Sequence, residues 1–276
     1  MTYRSTSDDP TVANTRNSRT VTWVVTDANS DSVGAQTSTG VTSTINIAAV
    51  NDAAVMVAGA NRAYTEGVSA TAISSGLTLS DVDDTAIASG ATVSITAGLT
   101  SGDVLSIASG SLLGGATASY NSGTGVLTFT GSTTVSNYQS MLRAVSFSST
   151  SEDPTSQSTT RTVTYSVTDA NASAASNSAQ TTTATSTVTI TAVNDTPVGT
   201  AGGSLAYTEN GAATAIDTTI TLIDVDDTQI VGATVTITSA LTGDVLGFTG
   251  QNDITGIYDA STGVLTLTGT ATLAQY

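Results

Sequence analysis

The 276-residue chain contains no cysteine, no histidine and no lysine, and each absence removes a class of chemistry. Without Cys there is no thiol nucleophile and no disulfide frame; without His there is no Ser-His-Asp relay; without both there is no zinc site of the usual kind. Without Lys there is no Schiff base, no P-loop lysine and no Lys–Asn isopeptide cross-link. Aromatic residues make up 4% of the chain and charged residues 10%. Positive charge is confined to six arginines against 22 acids, a net charge of −16. So acidic a surface repels phosphate backbones and excludes nucleic acid as a partner. No apolar run reaches the roughly 18 residues of a spanning helix, so no membrane insertion is expected of this segment. Met1-Thr2-Tyr3-Arg4-Ser5 does not open a signal peptide, so an export signal is expected outside these residues. Cations, neutral surfaces such as sugars, and other proteins remain as partners.

What is present is internal repetition. Val50-Asn51-Asp52 recurs as Val193-Asn194-Asp195, Tyr64-Thr65-Glu66 as Tyr207-Thr208-Glu209, and Asp81-Val82-Asp83-Asp84-Thr85 as Asp224-Val225-Asp226-Asp227-Thr228, all at an offset of 143 residues. Beyond a five-residue deletion, Tyr120 matches Tyr258 at an offset of 138. Ser7-Asp8-Asp9-Pro10-Thr11 matches Ser151-Glu152-Asp153-Pro154-Thr155, Arg19 to Trp23 matches Arg161 to Tyr165, and Asp27-Ala28-Asn29 matches Asp169-Ala170-Asn171. The pattern predicts the last part of one repeat (1–52), a complete repeat (53–195) and the first part of the next (196–276). It reads as an excerpt of a longer array. A second arrangement is that the terminal fragments complete each other between molecules, head to tail.

Apolar residues alternate with Thr and Ser. Val163, Tyr165 and Val167 fall on one face of a strand and Thr162, Thr164 and Ser166 on the other; Val188 and Ile190, Val93 and Ile95, and Leu127 and Phe129 alternate likewise. Branched Val and Thr suit a pleated surface, and Gly, Asn and Asp clusters mark turns between the runs. No helical period stands out. The expected fold is all-β: tandem antiparallel β-sandwich repeats of about 143 residues, immunoglobulin-like in the broad sense, each with a small-residue core and modest stability alone. Tyr64, Tyr120, Tyr165 and Trp23 are expected to anchor the core, and the arginines to pair weakly with surface acids.

The acids recur at fixed places. They form Glu66 and Glu209; Asp81, Asp83 and Asp84, with Asp224, Asp226 and Asp227; Asp8 and Asp9, with Glu152 and Asp153; Asp169 and Asn171; and the boundary pairs Asn51-Asp52 and Asn194-Asp195. Like charges so gathered repel unless a cation sits among them. Oxygen-only donors favour a hard cation, and Ca²⁺, with six to eight oxygen ligands, fits better than Mg²⁺. Asx turns are the competing reading: even with calcium for Asp-Ala-Asn, and preferred for the Gly-Asp-Val residues Asp103 and Asp244.

This order of motifs resembles the cadherin-like, VCBS-type tandem repeats of large RTX-type bacterial surface adhesins, whose boundaries often read Val-Asn-Asp-Ala-Pro. Val193-Asn194-Asp195-Thr196-Pro197 is close to that, and Val50-Asn51-Asp52-Ala53-Ala54 lacks the proline. The resemblance implies calcium between successive domains. One junction would use Glu66 with Glu152 or Asp153, then Asn194 and Asp195, then Asp224 and Asp226. The other would use Asp8 or Asp9, then Asn51 and Asp52, then Asp81 and Asp83, then Asp169 with Asn171 beside it. The linker is shorter than the full cadherin one, so one to three ions are expected per junction.

The resulting expectation is a non-enzymatic extender of a secreted or cell-surface bacterial adhesin or filament, extracellular in location. Calcium would stiffen it, and its partners would be neighbouring repeats in the same chain or other copies in a filament. The alternatives are a sugar-, ice- or protein-binding module using Thr-rich faces such as 181–191, and a self-complementing filament subunit. Paired carboxylates can hydrolyse glycosides, but no pocket motif accompanies them here.

Overall fold

A computed structural model describes residues 1–171 and 178–276. The chain divides into two units, Met1–Ala192 and Val193–Tyr276. Among the described residues strands dominate and the fold is all-β.

The first unit is built on a six-stranded sheet in the order Thr117–Asn121, Val126–Thr130, Ala91–Ala97, Thr160–Thr168, Thr181–Thr191, Arg62–Thr65. Its pairs are antiparallel except the last, where Arg62–Thr65 runs parallel to Thr181–Thr191. A three-stranded sheet of Thr71–Ala72, Ser146–Ser149 and Asp103–Ser106 lies across the same core. The period-two pattern decides which face is buried: Val163, Tyr165 and Val167 are buried while Thr162, Thr164 and Ser166 are only partly covered. Tyr64 from the large sheet meets Phe147 of the small one edge to face, ring centroids 5.0 Å apart. The Tyr64 hydroxyl is also tied in, donating to the Ser149 carbonyl at 3.2 Å.

Trp23, expected to anchor a core, is 39% exposed, and two further features depart from the sequence expectation. Val135–Arg143 is an α-helix, where no helical period was expected. Its buried residues Tyr138, Met141 and Leu142 have the spacing of one helical face, and the Thr134 hydroxyl caps it by accepting from the Asn137 amide at 3.1 Å. A stripe of three residues over barely two turns is too short to stand out among Thr-rich strands. The second of these is Arg161, which is no surface residue. It is fully buried, its Nε 2.5 Å from an oxygen of equally buried Asp103, with Nη2 donating to the Pro154 carbonyl at 2.6 Å.

Residues 18–46 form a separate hairpin, Ser18–Trp23 against Val41–Asn46, in which neither strand has a buried residue. In the second unit Gln229–Thr236, Val264–Thr272 and Thr255–Asp259 form a three-stranded sheet, and Val198–Thr200 pairs with Thr221–Ile223. Leu246, Ile254, Leu265, Leu267 and Ala271 make its core.

Candidate metal centres

The Asp-x-Asp-Asp segment follows the Thr78–Ser80 strand. Asp81 Oδ1 accepts the amides of Asp83 at 3.2 Å and Asp84 at 2.9 Å. This Asx turn folds the loop back so that its side chains converge. One oxygen from each of Asp81, Asp83 and Asp84 lies within 4.8 Å of the others. From the boundary motif the Asp52 amide reaches Asp83 Oδ2 at 3.3 Å. Asp83 is 3% exposed, and its Oδ1, like Oδ2 of Asp81, is buried with no hydrogen-bond donor among the described residues. Burial pushes the Asp83 carboxyl above its ordinary pKa, and neighbouring Asp81 pushes it further. Two buried carboxylate oxygens without donors, in an all-oxygen set, fit a hard cation such as calcium.

The second unit repeats the arrangement 143 residues on. Asp224 Oδ1 accepts the amides of Asp226 at 3.3 Å and Asp227 at 3.1 Å, and the Asp195 amide donates to Asp226 Oδ2 at 3.1 Å. Asp226 Oδ1, the counterpart of Asp83 Oδ1, is again buried without a donor among the described residues. The Asp195 amide draws the Asp226 pKa down, but burial and Asp224 outweigh it and leave the group raised. Asp224 is lowered: the amides it accepts overcome its desolvation.

The boundary asparagines fix the linker. Asn51 Nδ2 donates to the Asp52 carbonyl at 3.3 Å and Asn194 Nδ2 to the Asp195 carbonyl at 2.7 Å. Asn51 Nδ2 also reaches Asp169 Oδ2 at 3.0 Å. Asp169 is fully buried, its Oδ1 accepts the Gln180 amide at 3.0 Å, and the next amide, that of Ala170, donates to Asp84 Oδ2 at 3.1 Å. The structure thus gathers Asn51, Asp52, Asp81, Asp83, Asp84 and Asp169. Asp169 closes a turn there, as Asp27 does by accepting the Gln36 amide at 3.1 Å. Asn171 and Asn29 both take left-handed backbone, φ 46°.

Asp8, Asp52 and Asp81 line one cleft of about 370 Å³ with Ala53, Val55, Ser80 and Val82. Glu66 and Glu152 approach each other, one carboxylate oxygen of each within 4.8 Å. Other expected ligands sit apart. Asp9 closes its own turn, accepting from the Thr11 amide at 3.2 Å and the Ala13 amide at 2.8 Å. The Asp153 amide donates to Ser151 Oγ at 3.2 Å, in the loop whose Pro154 carbonyl holds Arg161. Glu209 is exposed and joins no group of three acids among the described residues.

One contributor was missed in the sequence. Gln180 Nε2 donates to the Asn51 carbonyl at 3.1 Å, binding the turn to the linker. The recurring glutamine of the other copy, Gln36, was its signal. Asp103 is a turn residue as expected, accepting the Thr100 amide at 2.8 Å, and the anion of the buried pair as well. Compared with known proteins, the chain matches no family model and no curated protein.

Proposed function

We propose that the chain is an extender segment of a secreted or cell-surface bacterial adhesin or filament, built from tandem cadherin-like sandwich repeats and stiffened by calcium at their junctions. One observation carries the reading: the same constellation stands at two places 143 residues apart. In each, a boundary Asp amide bonds to an Asp-x-Asp-Asp loop that keeps a buried carboxylate oxygen without a donor among the described residues. Asp81, Asp83 and Asp84 would hold one ion, and Asp224, Asp226 and Asp227 its counterpart. At the first boundary Asp8 and Asp52 face the same cleft as Asp81, so residues before, within and after the linker have oxygens to share.

Electrostatics supplies the mechanism. Without the cation, clustered carboxylates repel and the boundary flexes. A cation neutralises them and ties the linker to the loop. An ion that binds only the ordered arrangement stabilises it by RT ln(1 + [L]/Kd), so the millimolar calcium outside cells suffices even for weak sites. Calorimetric titration of the whole chain with calcium gives stoichiometry and affinity, and X-ray scattering with calcium and with chelator gives its extension. Heat evolved at two or more sites with lengthening in calcium is the expected result. No heat and superimposable scattering curves would reject the proposal.

A further inference from the structure

The hairpin at residues 18–46 copies the middle of the six-stranded sheet. Arg19 pairs with Ile45, Val21 with Ser43 and Trp23 with Val41. In the first unit Arg161 pairs with Val188, Val163 with Ser186 and Tyr165 with Ala184, the same register between equivalent residues. There the hairpin lies against Ala91–Ala97, and Val163 and Tyr165 are fully buried. In the free copy Trp23 is 39% and Val41 63% exposed.

The second unit presents the matching surface. Ala233–Thr236, the end of the Gln229–Thr236 strand and the equivalent of Ala91–Ser94, is bonded to Val264–Thr272 on one side and, among the described residues, is the edge of its sheet on the other. That edge is where the first unit carries Thr160–Thr168. Positions that are core in the first unit are bare here: Tyr207 is 58% exposed against 2% for Tyr64, and Ile220 55% against 0% for Leu77. The charges match as well. Arg19 bonds carbonyls of Arg16, Ser18 and Pro10 and makes no ion pair among the described residues, whereas its equivalent Arg161 also holds Asp103. Asp244, the equivalent of Asp103, makes the same turn, accepting the Leu241 amide at 2.9 Å, with no arginine against it among the described residues.

We propose that the 18–46 hairpin of one copy of this chain seats on the free edge of Gln229–Thr236 in a second copy, placing Arg19 against Asp244 and Trp23 over the uncovered apolar face. An exposed strand edge is a template for such addition, and main-chain bonds with alternating side chains fix its register. Donor and acceptor surfaces are different parts of the chain, so the contact is heterologous and propagates into open head-to-tail assemblies rather than closed dimers.

The test uses the full chain. Sedimentation velocity over a concentration series should give a ladder of sizes. Arg19→Asp or Asp244→Arg alone should abolish the larger species, and the chain carrying both should recover them, because the reversed charges meet again between copies. A second measurement is independent of charge. In the first unit Thr164 faces Ser94 across the strands, which maps to Thr22 facing Thr236. Because the chain has no cysteine, a mixture of Thr22→Cys and Thr236→Cys chains should give a cross-linked heterodimer on oxidation, and Thr22→Cys with Thr255→Cys should not. A monomer at every concentration, association indifferent to both charge reversals, or cross-linking equal in the two mixtures would overturn the proposal. So would a Thr22→Cys/Thr236→Cys chain that cross-links only within itself.

Discussion

The amide of Asp52 donates to Asp83 at 3.3 Å while the other oxygen of Asp83 is buried without a donor among the described residues. One half of the carboxylate holds the linker and the other half is held ready. Replacing Asp83 by Asn removes a charge that burial and Asp81 already disfavour. In chelator the Asp83→Asn chain should therefore melt no lower than the parent. In calcium it should lose the ion-dependent gain at that boundary, worth about 2.7 kcal/mol at a hundredfold excess over Kd. Melting curves of both chains in both conditions check this, and an unchanged calcium response would remove Asp83 from the site.

Arg161 and Asp103 make a different prediction. Both are fully buried, and the guanidinium also binds two loop carbonyls, those of Ser158 and Pro154. Removing one partner leaves the other charge uncompensated in the core. Asp103→Ala should cost about 3–5 kcal/mol. Asp244→Ala, in the equivalent but exposed turn, should cost little more than its bond to the Leu241 amide in dilute monomeric protein, about 1 kcal/mol. Urea unfolding of the two variants measures the contrast.

That contrast also marks how far the sequence could be read. The all-β class and the buried faces were legible in single strands, because Val163, Tyr165 and Val167 alternate with Thr and Ser whatever their neighbours. The acid loops were legible because Asp81 to Asp84 return unchanged as Asp224 to Asp227. The role of Arg161 was not, since its burial depends on Asp103, 58 residues away in another sheet. The parallel seating of Arg62–Thr65 on Thr181–Thr191 was equally hidden, because strand direction leaves no mark on alternation. Glu209 shows the limit of the repeat itself: no strand forms at residues 201–208, so the match to Glu66 in sequence is not matched in setting.

Asp217 sets an acid limit on the second unit. Its carboxylate accepts from the Thr219 hydroxyl at 2.6 Å and from the amides of Gly203, Thr219 and Gly202, and these bonds, the hydroxyl first, hold its pKa well below the usual carboxylate range. A group depressed in the folded state binds fewer protons there than in the unfolded chain. Its contribution is therefore complete above the ordinary value near 3.8 and fades as pH falls toward the folded value. Scanning calorimetry between about pH 5 and about pH 2 should show the second unit's melting temperature falling more steeply in the parent than in Asp217→Asn. Parallel slopes would mean the four bonds do not persist in solution.

Tyr165 sets the alkaline limit of the first unit. Burial pushes its phenol from 10.0 up to about 12, with the hydroxyls of Ser74 and Ser186 acting weakly the other way. Between those values the unfolded chain has lost the proton and the folded chain keeps it. The folded state then binds more protons, so stability falls as pH rises through the window, by about 3 kcal/mol in all at 1.36 kcal/mol per pKa unit. Tyr165→Phe keeps the ring in the core and removes the ionisation. The variant should match the parent near neutrality and exceed it at about pH 11, in the middle of that window. Tyr120 and Tyr138, also raised by burial, leave it a residual alkaline slope. Urea midpoints on both sides of the window measure the difference, and equal alkaline losses in the two chains would show that Tyr165 ionises as freely folded as unfolded.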